Sequence, residues 1–146
     1  MGIYLNPGND GFQSARAGRY VDKSGLIAVV NDTIGKKEKL TCISRARRFG
    51  KSMAAQMLCA YYDRSCDSSA LFDDLEIAGH PSYREHLNQY NVVYLDITNI
   101  IGEKGLKNVV SYISQALIQE LREVYPDMKK TDVLSVALGE VVDKWD

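Results

Sequence analysis

No charge of one sign dominates this 146-residue chain: eighteen Lys and Arg stand against nineteen Asp and Glu, a formal net charge of −1. Such a balance excludes a protein drawn as a whole to nucleic acid or to an anionic membrane, so any electropositive site has to be local. Long hydrophobic runs are missing too. None approaches the roughly 18 apolar residues of a membrane span, and Met1-Gly2-Ile3-Tyr4-Leu5-Asn6 lacks the basic flank and apolar stretch of a secretory signal. Asn6 stands where an N-myristoylation motif needs Ser or Thr, which excludes that anchor. The expectation is a cytoplasmic protein with no membrane partner. Cysteine is scarce: Cys42, Cys59 and Cys66 are an odd number at spacings that match no zinc site. They read as reduced structural thiols, with Cys42 and Cys59 in segments expected to be buried. Of the histidines, His80 and His86 have no Cys, Asp or Glu array at metal-ligand spacing and read as loop or helix-surface residues.

What is present is the composition of a globular chain, 45% hydrophobic and 25% charged. A chain of this length buries roughly 70% of its unfolded surface, enough for one ordinary core, so residues 1–146 read as one domain or one large piece of one. The Gly, Asn and Asp content of residues 1–22 predicts an irregular lead-in anchored by Phe12. Leu26, Ile27, Val30 and Ile34 recur at helical spacing, and Gly35-Lys36-Lys37 supplies a stop.

Leu40-Thr41-Cys42-Ile43-Ser44 is short, nearly uncharged and partly β-branched, the pattern of a strand buried on both faces of a parallel sheet. After Lys51-Ser52, residues Met53, Met57, Leu58 and Tyr61 share one face of a helix that should reach Tyr62, giving strand, loop and helix over residues 40–62. A brief helix is expected after Pro81, and Val92 to Ile97 reads as a second buried strand. Leu106, Val109, Val110, Ile113, Leu117, Leu121 and Val124 then form a stripe for a long helix that Pro126 ends, and a last helix starts at Leu134. Strands alternating with helices imply an α/β fold with a parallel sheet. Two strands cannot make a stable open sheet, so the sheet is expected to be incomplete, as in a truncated chain or one that partners through its sheet edge.

The chemistry concentrates in Arg45-Ala46-Arg47-Arg48-Phe49-Gly50-Lys51-Ser52. A phosphate-binding loop needs backbone N–H groups turned inward between a strand and the positive end of a helix. In that reading Gly50 allows close backbone approach, Lys51 reaches the β and γ phosphates of ATP, and the Ser52 hydroxyl ligates Mg²⁺. The usual G-x-x-x-x-G-K-[ST] pattern has Gly where this chain has Arg45, which works if Arg45 keeps a negative φ. The alternative is a surface Gly-Lys turn with a helix N-cap at Ser52. Arg47 and Arg48 offer bidentate contacts to phosphate; the alternative is a solvated basic turn, or, with Arg45, a nucleic-acid-binding module. Asp96 imitates the acid at the end of a Walker B strand but is followed by Ile97; a carboxylate capping the Thr98-Asn99 turn is the plainer reading.

Tyr4-Leu5-Asn6-Pro7-Gly8-Asn9 with Gly11-Phe12, Tyr20-Val21-Asp22-Lys23-Ser24-Gly25-Leu26-Ile27, and Ile43 to Ser52 together resemble the predicted AAA-ATPase-like family of bacteria. That family's loop usually reads Arg-Pro-Arg-Arg-Phe-Gly-Lys followed by Ser or Thr, so Ala46 departs from its Pro and Arg45 does not depart. The resemblance implies an ASCE-type, AAA-like P-loop NTPase of three layers, with ATP and Mg²⁺ as cofactors and nucleotide state coupled to an effector. In full-length members a C-terminal domain similar to PD-(D/E)XK nucleases follows, which makes nucleic acid a partner of the whole protein. It also implies that Tyr20-Val21-Asp22-Lys23 lies against the adenine, with Tyr20 and Asp22 on the adenine side, the alternative being an N-cap at Asp22 and a packing anchor at Tyr20. The family's Walker B strand comes after a helix like Leu134 to Trp145, and this sequence stops at Asp146. The expectation is a chain that binds nucleotide weakly and hydrolyses it negligibly; a scaffold that kept the fold and binds only proteins is the remaining alternative.

Overall fold

In a computed structural model, which describes residues 2–145, the Asn9-Asp10-Gly11 turn runs directly into helix α1, Asp10–Ala17. Asp10 in the first turn and Arg16 in the last both favour the helix dipole, and Phe12 is fully buried. The stretch expected to be irregular therefore contains a helix. Its Gly and Asn residues mark the helix entry, and Phe12 with the partly buried Ala15 supplies the inward face.

Helix α1 belongs to the first of two units into which the chain divides, Asn6–Val92. Helix α2, Gly25–Asn31, ends three residues short of Ile34 because Asn31 turns inward. Its amide donates to the Tyr61 hydroxyl at 3.1 Å and to Ser82 Oγ at 2.9 Å. Helix α3, Lys51–Tyr62, starts and ends where the sequence pattern placed it, and buries Met57, Ala60 and Tyr61 at helical spacing. Two short helices, α4 (Ser69–Phe72) and α5 (Tyr83–His86), flank a 3-10 turn at Glu76–Gly79. Phe12, Ile27, Met57, Tyr61, Phe72 and Ile77 form the core, with the Phe12 and Phe72 rings stacked at 4.9 Å. Asp63, fully buried, is satisfied by the N–H groups of Gly8 at 2.6 Å and Ser65 at 2.8 Å.

The second unit joins Gly2–Leu5 to the chain from Val93 onward. It contains α6 (Ile97–Lys104), a 3-10 turn at Leu106–Asn108, α7 (Val109–Val124) and α8 (Leu134–Trp145). Gly105, at φ +76°, separates α6 from the turn, so the long apolar stripe begins its regular helix at Val109. Leu5, Leu117, Leu121, Met128, Ala137 and Val141 make this unit's core. The Glu120 carboxylate accepts the N–H groups of Ile3, Tyr4 and Leu5 at 2.8, 3.0 and 2.7 Å, which fixes the N-terminal strap.

The parallel sheet expected from the sequence is absent. Among the described residues there is no sheet, and the three-layer α/β P-loop architecture is not what this chain forms. Pairing is limited to isolated bridges, Leu5 with Val93 and Asp63 with Tyr90. Residues 40–46 run without regular secondary structure and are exposed, Leu40 at 92%. β-Branched residues favour a strand only against neighbours that take up their N–H and C=O groups and cover their faces, and none covers this stretch. Residues 92–97 fail as a strand for a second reason. Asp96 caps α6, accepting the Asn99 N–H at 3.1 Å, and turns the chain into helix at Ile97. Cys42, expected inside on the strand reading, is exposed for the same cause.

Candidate functional site

In the first unit the turn at residues 22–24 fixes one wall of the site. Asp22 accepts the Ser24 N–H through one carboxylate oxygen and the Glu76 N–H through the other, each at 2.8 Å. Desolvation pushes this carboxyl upward, yet the N–H bonds from Glu76 and Ser24 outweigh it and hold Asp22 below its usual range. Buried Ser24 accepts the Ile77 N–H at 3.1 Å through its hydroxyl, tying the turn to the segment opposite. Tyr20 packs inward, edge-on to Phe12 with centroids 5.4 Å apart, and its hydroxyl donates to Met57 Sδ at 3.4 Å. Burial raises the Tyr20 hydroxyl above its ordinary value.

Opposite this wall the chain turns over residues 47–50 and enters α3. Gly50, at φ +77°, is the left-handed residue immediately before the helix. A left-handed residue followed by right-handed helix turns successive N–H groups to one side, and no side chain caps them here. Arg45 is not among the left-handed residues; that conformation falls at Arg48, φ +66°, where a Cβ makes it cost roughly 1–2 kcal/mol. Two ammonium groups hold this turn. Lys51 Nζ donates to the Arg45 carbonyl at 2.7 Å, and Lys23 Nζ donates to the Phe49 carbonyl at 2.8 Å. A Cβ on residue 50 would stand 3.2 Å from Lys23 Nζ, the far end of a flexible side chain that can give way, so the demand for Gly50 lies in its left-handed backbone.

Between the turn and α2 lies a cavity of about 550 Å³. Lys23, Arg45 and Lys51 give it positive charge, Gly50 gives it backbone, and Leu26, Ile43, Phe49 and Ala54 give it an apolar side. That volume is ordinary for a small-molecule site. A cavity of about 590 Å³ lies along α7 in the second unit, but its Arg122 donates to the Thr131 carbonyl at 2.8 Å and it contains no comparable loop and helix start. Size alone favours the α7 cavity slightly; convergent cations and uncapped amides favour the first.

Of the residues singled out in the sequence, Arg45, Phe49, Gly50 and Lys51 line one cavity. Arg47, Arg48 and Ser52 are exposed on the same turn and helix start and do not line it. Tyr20 lies against the core and Asp22 clamps the turn, neither lining the cavity. Asp96 belongs to the second unit as the cap of α6. Sequence reasoning missed Leu26, Ile43 and Ala54 as wall residues. It set Lys23 on the adenine side with Tyr20 and Asp22, since nothing local shows that its ammonium reaches a carbonyl 26 residues away.

No group of three or more His, Cys, Asp or Glu side chains that could hold a metal occurs among the described residues. No carboxylate lines the cavity, so it offers no protein-built centre for a divalent ion; Mg²⁺ would have to arrive already bound to phosphates. No helix among the described residues is long and apolar enough to cross a membrane.

The family model described as "Predicted AAA-ATPase" matches residues 10–145. This chain belongs to that family. The match runs over the Asp22 turn, the Arg45–Ser52 loop and α3, and the family's description marks a nucleotide-binding, AAA-ATPase-like domain. No curated protein and no solved structure matches the chain.

Proposed function

We propose that the cavity between α2 and the Arg45–Ser52 turn binds the phosphates of ATP or a similar nucleoside triphosphate. The observation that carries this reading is a single cavity lined by Lys23, Arg45 and Lys51 at the start of α3, whose first amides follow a left-handed glycine and take no side-chain cap. The Lys51 ammonium donates to the Arg45 carbonyl at 2.7 Å and keeps two further donors for phosphate oxygens. The helix dipole and the N–H groups of residues 50–52 support this reading, as donors that a phosphate could take up at the start of α3. Leu26, Ile43 and Phe49 offer apolar surface to a base or ribose, which makes the apolar side of the cavity a better support for the base than the inward-packed Tyr20. Mg²⁺ bound to the nucleotide would neutralise phosphate charge, with the Ser52 hydroxyl as its protein ligand.

In this reading the chain is a nucleotide-binding domain whose occupancy sets the position of an attached effector, and its three free cysteines suit a cytoplasmic location. Isothermal titration with Mg-ATP tests it: binding is expected for the natural chain and lost in Lys51→Ala. Equal affinity of the two proteins would sink the reading. A second reading has its own support, because Arg47 and Arg48 are exposed beside the cavity and not within it. There the arginines contact the phosphate backbone of a nucleic acid, and affinity would fall steeply with salt.

A further inference from the structure

We infer that Lys23 is a second phosphate-binding cation of this site, so that two ammonium groups, from α2's leading turn and from the start of α3, grip one polyphosphate chain. The inference rests on the nucleotide-binding reading and adds to it a residue outside the loop. Lys23 and Lys51 enter the same cavity from opposite walls and end on carbonyl oxygens of the same turn, at residues 49 and 45. Each ammonium has three donors, and each is seen to use one on the protein. Among the described residues neither pairs with a carboxylate, and no acidic residue lines the cavity.

Two features support this role for Lys23. Its backbone is anchored on both sides, by Asp22 on the Glu76 N–H and by Ser24 on the Ile77 N–H, although its own side chain is exposed. Ordering an exposed lysine also costs side-chain entropy that a single bond to a surface carbonyl scarcely offsets, whereas an anion between two like charges relieves their repulsion as well. Carbonyls 45 and 49 are acceptors that phosphate oxygens would replace or join. On binding, both ammoniums turn spare donors to the phosphates, and the more phosphates the ligand carries, the more of the pair it engages.

Titration calorimetry on the 146-residue chain with Mg-ATP, inorganic tripolyphosphate and adenosine separates the outcomes, using Lys23→Met, Lys23→Arg and Lys51→Met. Lys23→Met is expected to weaken ATP and tripolyphosphate by about tenfold, the scale of one lost charge-assisted contact. Its ligand-free melting temperature should fall only slightly, since one bond from an exposed side chain to the Phe49 carbonyl is lost, and Lys23→Arg should keep most of the affinity. If Lys23→Met binds ATP as the natural chain does while Lys51→Met does not, Lys23 is no ligand and the nucleotide reading survives. If Lys23→Met weakens adenosine as much as ATP, or Lys23→Arg fails to rescue, the residue acts on the wall and not on phosphate, and the inference falls. Absence of binding by the natural chain sinks both.

Discussion

Asp22 and Glu76 are joined by a bond from the Glu76 N–H to the Asp22 carboxylate at 2.8 Å, although 54 residues separate them. With its second bond, to the Ser24 N–H, this carboxylate sets where α2 begins and so where Lys23 leaves the chain. Asp22→Ala should cost about 1–2 kcal/mol, the scale of a lost charged acceptor for backbone N–H groups, measured by urea unfolding of the first unit's signal. The acid branch gives a sharper check. Because the folded carboxyl sits below its ordinary value, its contribution is complete above the unfolded pKa, about 3.9, and is lost as pH falls through the folded value. The natural chain should therefore lose more stability than Asp22→Asn below about pH 4. Parallel acid curves for the two would show that the carboxylate's charge is not what holds the turn.

In the second unit Glu120 accepts three consecutive backbone N–H groups from the strap at residues 3–5, and Leu5 beneath it is 3% exposed. Removing the carboxylate leaves those donors without their acceptor, a loss on the order of 2–3 kcal/mol for charged hydrogen bonds. Hydrogen exchange in Glu120→Ala is expected to speed up at residues 3–5 well before it does in the middle of α7. Unchanged protection at Tyr4 and Leu5 would mean that burial of Leu5 alone holds the strap.

Helices were legible in the sequence where an apolar face and a stop signal coincide. α3 follows from Met57 and Tyr61 at i and i+4, and the end of α7 follows from Pro126. The sheet was misread because a β-branched run reports only that a segment suits a pleated surface, while a strand exists through partners that this run does not have. Of the loop residues that the sequence singles out, Phe49, Gly50 and Lys51 line the cavity and Arg47, Arg48 and Ser52 do not, because a local order of Gly and Lys marks a turn before a helix but not which side chains face inward. The role of Lys23 was not legible, since it arises only when the Asp22–Glu76 bond brings α2's leading turn up to Phe49, a contact that no local pattern encodes.

The difference between a buried strand and the exposed stretch actually formed can be measured at two cysteines. Cys42 is exposed, whereas Cys59 is buried on α3, where desolvation pushes its thiol up to about 11. A maleimide at neutral pH should label Cys42 rapidly and Cys59 only on unfolding, because the thiolate is the reacting species. Amide exchange over residues 40–46 should be fast beside the middle of α3. Protection of Cys42 and of those amides in the isolated chain would restore a paired strand there.

The charged residues lining the proposed nucleotide cavity are Lys23, Arg45 and Lys51, all cations. Cations can bind phosphate and steady developing charge, but splitting the terminal phosphate also needs a group that orients and deprotonates water, ordinarily a carboxylate or a polar side chain within reach. None is present in this wall, so binding and turnover should separate: Mg-ATP should bind, and phosphate release by the purified 146-residue chain should not exceed that of Lys51→Ala. The comparison is read as inorganic phosphate against time at saturating Mg-ATP, with the variant subtracting any contaminating activity. A steady turnover present in the natural chain and absent from the variant would mean that a carboxylate outside the lining reaches the site.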